Sequence, residues 1–202
     1  MTLRAVFVDF GGVLLRTEDQ GPRLRLAERL GVPAGQLEKL VFESRSSLQA
    51  STGEITEEAH WQSVGDALGI SRQETELLTA EFFAGDRLNT DLVEFLRGLR
   101  PQCRVGLISN AWSGLRDYIT RNQFADVFDE MVISAEVGLV KPDPRIYRLA
   151  LERMNVPPEA SLFLDDMPAN VQAALSIGMH ALQFVQPAET LAELKRLLSD
   201  HR

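Results

Sequence analysis

Val6-Phe7-Val8-Asp9-Phe10-Gly11-Gly12-Val13-Leu14 decides how this chain folds. Apolar residues run without polar alternation into one carboxylate, and two glycines follow almost at once. A run of this kind reads as a strand buried on both faces, the pattern of a parallel sheet. A carboxylate at its C-terminal end lies where open α/β sheets bind their ligands. The glycines let the backbone turn sharply and approach whatever binds there.

Outward from that strand, strands and helices alternate. Residues 105–110 form a second buried strand, 131–133 a short third, 162–166 a fourth and 181–185 a fifth. Asn89 or Thr90 caps a helix with Leu92, Phe95, Leu96 and Leu99 inward. Leu115, Tyr118 and Ile119 mark the next helix. Asp143 is an N-cap with Pro144 at the first helical position, ahead of Ile146, Leu149, Ala150 and Met154. Pro168 starts a helix that Gly178 ends, with Val171, Ala174 and Leu175 inside, and Leu191, Leu194 and Leu198 mark a last one. Strands alternating with helices imply a parallel sheet with right-handed crossovers.

Residues 16–86 differ in character: they hold helix patterns and no strand candidate. Leu24, Ala27 and Leu30 share a face that Gly31 stops. Leu37, Leu40, Val41 and Leu48 continue the pattern. Thr56 caps a helix carrying Ala59, His60, Val64 and Leu68, and Ser71 with Glu74 makes a capping box ahead of Leu77, Leu78 and Phe82. The expected organisation is an α/β core from residues 1–15 and 87–202, with a helical insertion, 16–86, after the first strand.

Two hundred and two residues are enough for a sizeable core. Twenty-one basic against 29 acidic side chains give a net charge of -8, which disfavours non-specific binding to nucleic acid or to an anionic membrane. Cys103 is the only cysteine, so no internal disulfide forms, and a buried structural thiol is expected. No apolar run is long enough to span a bilayer, and the N-terminus enters a strand without a signal-peptide apolar core. A cytoplasmic protein is expected, as monomer or homodimer.

A parallel sheet gathers its strand ends at one edge, so Asp9, Ser109-Asn110 and Asp165-Asp166 converge there, with Lys141 in the loop after the third strand. Crowded carboxylates raise one another's pKa. A hard divalent cation relieves this, and Mg²⁺ suits a few carboxylates plus a substrate phosphate. Lys141 and Ser109 suit a phosphate group, and Lys141 also helps hold Asp9 ionised as a nucleophile. The chemistry suggested is phosphoryl transfer through an aspartyl-phosphate.

Asp9-Phe10-Gly11-Gly12-Val13, Ile108-Ser109-Asn110, Lys141-Pro142 and Leu164-Asp165-Asp166 resemble, in order and spacing, the four motifs of the haloacid dehalogenase (HAD) superfamily. Ser109-Asn110-Ala111-Trp112 and Phe163-Leu164-Asp165-Asp166 are most similar to its phosphatase domains of epoxide-hydrolase type. The resemblance spans residues 3 to 186. It implies a Rossmann-like doubly wound sheet of order 5-4-1-2-3, with the insertion as a helical cap of the first cap class. It implies hydrolysis of a small phosphorylated metabolite, such as a sugar phosphate, with Mg²⁺. Asp9 is then nucleophile and metal ligand. Ser109 and the Asn110 amide bind phosphoryl oxygens beside Gly11 and Gly12, and Lys141 bridges nucleophile and phosphate. Asp166 and the Gly11 carbonyl ligate the metal directly, and Asp165 does so in an outer role or through water.

One position departs from the pattern. Where most phosphatases of the family carry a second aspartate, two residues after the nucleophile, this chain has Gly11. General acid–base help is worth about 10²–10⁴ in rate. Three readings follow. The first is a phosphatase whose proton is not needed, or comes from a substrate hydroxyl or a cap residue. The second is a 2-haloacid dehalogenase, against which the paired Asp165-Asp166 argues. The third is a non-catalytic relative that binds a phospho-ligand or a protein. Asn170, one turn into its helix, is a candidate to order Asp166 or a metal-bound water. Trp112 lies beside the site, to touch substrate or to pack under the cap. His60 and His180 have no partner pattern. Arg45, Ser47 and Trp61 are cap residues in a position to set specificity.

Overall fold

The computed structural model describes residues 2–33, 35–100 and 102–200, with the backbone alone at 199 and 200. In chain order the sheet strands are β1 (Ala5–Val8), β4 (Arg104–Ser109), β5 (Glu130–Ile133), β6 (Ser161–Asp165) and β7 (His180–Gln183). They form one parallel sheet in the order β5-β4-β1-β6-β7. Counting these five alone, that is the expected 5-4-1-2-3, with the Asp9 strand central. Strand β7 stops at Gln183, two residues short of the expected end, and Val185 is exposed.

Side-chain alternation divides the core. Val6 and Val8 face one layer, with Leu92, Val93 and Leu96 of α6 (Thr90–Leu99), Leu115 and Ile119 of α7 (Leu115–Arg121), and Leu194 of α11 (Pro187–Asp200). Ala5 and Phe7 face the other. There Ile146, Tyr147, Ala150 and Met154 of α9 (Pro144–Met154) and Ala174 of α10 (Pro168–Ser176) cover them. Both faces are therefore dry, which is why β1 carries no polar alternation. The expected caps are in place: the Asp143 carboxylate accepts the Arg145 amide before Pro144, and Asn89 accepts that of Leu92. Leu175 was expected inward with Ala174 but is exposed, because α10 offers a narrow inner face to β6 and β7. Cys103 is buried, and burial pushes its thiol up to about 11.

The segment expected to be helical throughout holds two short strands at its edges. β2 (Leu15–Thr17) and β3 (Asp86–Leu88) pair antiparallel, with Leu15 opposite Leu88. Three residues each are too few for a periodic sequence pattern, and the partners lie some seventy positions apart. Between them come α1 (Gly21–Arg29), α2 (Gln36–Phe42), α3 (Arg45–Ser51), α4 (Glu57–Leu68) and α5 (Arg72–Phe82). They bury a cluster of their own: Leu26, Leu37, Val41, Trp61, Val64, Leu78 and Phe82. The Thr56 cap and the Ser71–Glu74 capping box form as expected.

Within α1 the inner face is shifted. Leu24 is exposed and Arg23 is buried instead. The Arg23 guanidinium bonds Asp86 at 2.9 Å, Glu38 at 3.0 Å and the Phe82 carbonyl at 3.2 Å, and it lies 4.4 Å over the Phe82 ring. A charge with that many partners tolerates burial, and hydrophobic periodicity does not register it. In α5 the same happens on a smaller scale: Thr75 is buried with Leu78, and Leu77 is exposed.

Candidate active site

Asp9 follows β1 directly and is buried beneath a cleft of about 1260 Å³, between the sheet edge and the five helices, that Gly11, Gly12, Ser109, Lys141 and Asp166 line. Lys141 Nζ lies 2.7 Å from Asp9 Oδ1 and 2.6 Å from Asp165 Oδ2. The Phe10 amide also donates to Asp9 Oδ1, at 2.7 Å. Burial pushes Asp9 up to about 6, against the opposing pull of Lys141, with the Asp165 charge adding to the rise. Asp166 is half-buried, and burial, then Asp165, raises its pKa as well.

Asp165 is fully engaged. Its oxygens accept the Met167 amide at 2.8 Å, Asn170 Nδ2 at 3.0 and 3.1 Å, and Lys141. The expectation that Asn170 orders Asp166 is corrected here: its amide points back to Asp165, which ends the strand one turn earlier. The Asn170 carbonyl in turn accepts the Tyr147 hydroxyl at 3.1 Å. Asp165 is therefore the carboxylate that holds Lys141 in place. Asp166 lines the cleft, and Lys141 and the Phe10 amide both meet Asp9 at Oδ1.

Ser109, at the end of β4 beside β1, is buried and lines the cleft. Asn110 does something its sequence position does not announce. Its side chain clamps the Lys141 backbone at both ends: Nδ2 donates to the Lys141 carbonyl at 2.9 Å, and Oδ1 accepts the Lys141 amide at 2.7 Å. Ser134, which opens α8 (Ser134–Val137), braces the same loop, accepting the Ala111 amide at 3.0 Å and donating to the Ala111 carbonyl at 3.1 Å. Amide-to-backbone pairing between residues 31 apart leaves no periodic trace, so neither role was legible beforehand.

One oxygen each of Asp9, Asp165 and Asp166 lies within 4.8 Å of the others. Three carboxylates against one ammonium leave two negative charges, and this oxygen-only donor set fits a hard divalent cation. Gly12 has φ +76, and a Cβ there would collide with the Asp166 carboxylate. Only glycine lets the backbone pass this close. Gly11 is exposed, and a Cβ on it would meet nothing within 4 Å.

Trp112 packs on the helical cluster, one of the two roles expected of it, and it also lines the cleft. Ser47 lines the cleft too, whereas Trp61 is buried in the cluster and Arg45 is exposed outside the lining. His60 is wholly buried, and His180 is exposed.

A family profile described as haloacid dehalogenase-like hydrolase matches residues 3–178. The chain belongs to that family. This HAD-like hydrolase is 26% identical to bifunctional epoxide hydrolase 2 of Rattus norvegicus over 98% of its own length, and it spans about two fifths, 39%, of that relative. It is 22% identical to the D-ribitol-5-phosphate phosphatase of Bacteroides thetaiotaomicron, over 98% of this chain and 99% of the relative. Among solved structures, a HAD family enzyme from Bacteroides thetaiotaomicron in complex with magnesium and inorganic phosphate shares its fold. The TM-score is 0.75 at 21% identity, over 90% of this chain and 93% of the other. Among the described residues of the HAD-like hydrolase, no helix is long and apolar enough to cross a membrane.

Proposed function

We propose that this hydrolase cleaves a small phosphorylated polyol or sugar with Mg²⁺, through an aspartyl-phosphate on Asp9. The observation that carries the reading is Lys141 Nζ held between Asp9 and Asp165, at 2.7 and 2.6 Å, beside Asp166 on the cleft floor. The D-ribitol-5-phosphate phosphatase matched end to end supports the substrate class.

A carboxylate attacks phosphorus only as the anion, and Lys141 opposes the burial that would protonate Asp9. Asp9 Oδ1 is occupied by Lys141 and the Phe10 amide, which leaves Oδ2 for the attack. The Oδ2–P bond forms in line as the bond from phosphorus to the substrate alkoxide breaks. Lys141 and Ser109 donate to the equatorial phosphoryl oxygens, where charge collects. Water then attacks phosphorus, returning the Asp9 carboxylate and inorganic phosphate. Asp9, Asp166 and the Gly11 carbonyl would hold Mg²⁺, which supplies positive charge beside the transferring group. Position 11 offers no acid, so the alkoxide takes its proton from solvent or from a hydroxyl of the substrate. The five helices act as a cap, residues 16–86, on a core of 1–15 and 87–202, and exclude water from the cleft when closed.

The test is phosphate release from sugar and polyol phosphates by the purified protein, with Mg²⁺ and with chelator. Release should vanish with EDTA and in Asp9→Asn. Turnover that survives either treatment rejects the mechanism.

A further inference from the structure

The helical side of the cleft presents Ser44, Ser47 and Phe42, and the loop after β4 adds Trp112. Phe42 and Trp112 stack, with centroids 6.1 Å apart and planes 20° apart. A chain of hydrogen bonds runs away from the cleft behind them. Ser44 Oγ lies 3.1 Å from Ser46 Oγ, and Ser46 Oγ lies 2.9 Å from Nδ1 of His60, on α4. His60 is wholly buried and its ring sits 4.5 Å from that of Trp112, so its orientation is fixed by packing. Burial lowers its pKa and keeps it neutral.

Ser44 is the N-cap of α3 and accepts the Ser47 amide at 3.2 Å. Capping needs nothing more, yet the chain continues through Ser46 to a histidine on another helix. A hydroxyl has one donor and two acceptor positions. Ser47 and Ser46 occupy two of those on Ser44, and one remains at the cleft. Whether it donates or accepts depends on the His60 tautomer, because each hydroxyl in the chain carries a single proton. A ligand hydroxyl, which both donates and accepts, meets either state. A carbonyl or an ether oxygen meets only one. The flat, stacked rings beside Ser44 complement the C–H face of a polyol or sugar.

We propose that Ser44, positioned by Ser46 and His60, hydrogen-bonds a hydroxyl on the leaving group of the substrate, with Phe42 and Trp112 against its C–H face. This rests on the phosphatase reading of the cleft and names the residue through which that site selects hydroxylated substrates.

The experiment compares kcat/KM for sorbitol 6-phosphate with that for phenyl phosphate, which has no hydroxyl on its leaving group. The ratio should fall about tenfold in Ser44→Ala, the worth of one good neutral hydrogen bond, through KM for the polyol phosphate. Ser44→Thr, which keeps cap and hydroxyl, should restore it. Ser46→Ala and His60→Phe should lower the ratio in the same direction by a smaller factor. A loss shared equally by both substrates would mean that Ser44 is only a helix cap, and an unchanged ratio would overturn the proposal equally. If the wild-type protein hydrolyses neither compound, the phosphatase reading is rejected. Tryptophan fluorescence titration with the same two compounds in EDTA then decides Ser44: weakening confined to the polyol phosphate supports its role, and equal or no weakening overturns it.

Discussion

Gly11 and Gly12 are neighbours with opposite constraints. A side chain at Gly12 would strike Asp166, and its φ of +76 strains any other residue. Gly11 has open space and no positive φ. The absence of an acid at position 11 is thus chemistry and not packing, and Gly11→Asp should fold with an unchanged melting temperature. It should raise kcat/KM for alkyl phosphates, whose leaving groups need a proton, by up to about 10²–10⁴. The gain should be much smaller for phenyl phosphate, so the slope of rate against leaving-group pKa should flatten. An unaltered slope would show that the proton already comes from elsewhere. Ser109→Ala should cost about 10²–10³ in kcat by removing a donor to the phosphoryl group, read with phenyl phosphate at saturation. Asp9, Ser109, Lys141 and the Asp165-Asp166 pair were legible in the sequence, because a parallel sheet brings strand ends together whatever their separation. The Asn110 clamp and the turning of Asn170 to Asp165 were not. Both join a side chain to atoms fixed only by the finished fold.

Among the elements, the strands of the sheet were readable because four of them are apolar runs closed by polar residues and the fifth, β7, follows a helix in the same alternation. The β2–β3 pair was not, since its meaning lies in a partner and not in a pattern. That pair carries the Arg23 network. Asp86 accepts from Arg23 and, at 2.7 Å, from the Thr17 hydroxyl across the pair. Arg23 reaches Glu38 and the end of α5 from the same point. Asp86→Ala would leave a buried guanidinium short of its main partner, and it should lower the unfolding free energy by about 3 kcal/mol, measured as a reduced urea midpoint. A second tie crosses the cleft further along: the Gly114 amide donates to Glu57 of α4 at 3.0 Å. The helices are therefore held to the sheet at both sides of the opening.

For the molecule as a whole, the acidic cluster sets a stability that depends on pH. The folded-state pKa of Asp9 lies near 6, above its ordinary value of 3.8. Its contribution to stability is thus fully present below about pH 4 and is lost as pH rises through 6, where the buried anion forms. A bound cation favours that anion. Added Mg²⁺ should therefore raise the melting temperature by several degrees at pH 8 and hardly at all at pH 5, seen by thermal scanning with and without chelator. An equal shift at both pH values would place the metal away from Asp9. The paired strands that open and close the helical segment have a consequence of another kind. Glu18 and Gly85 sit side by side, amide to carbonyl at 3.1 Å, so the chain leaves the sheet and returns to it at one point. A segment inserted between adjacent ends can lengthen, shrink or be exchanged without moving any strand of the main sheet. The segment that carries Phe42 and Ser44 is thus a separately inheritable piece of chain, apart from the strands that lead to Asp9, Ser109 and Asp165. A lineage can exchange that segment while leaving those strand ends untouched.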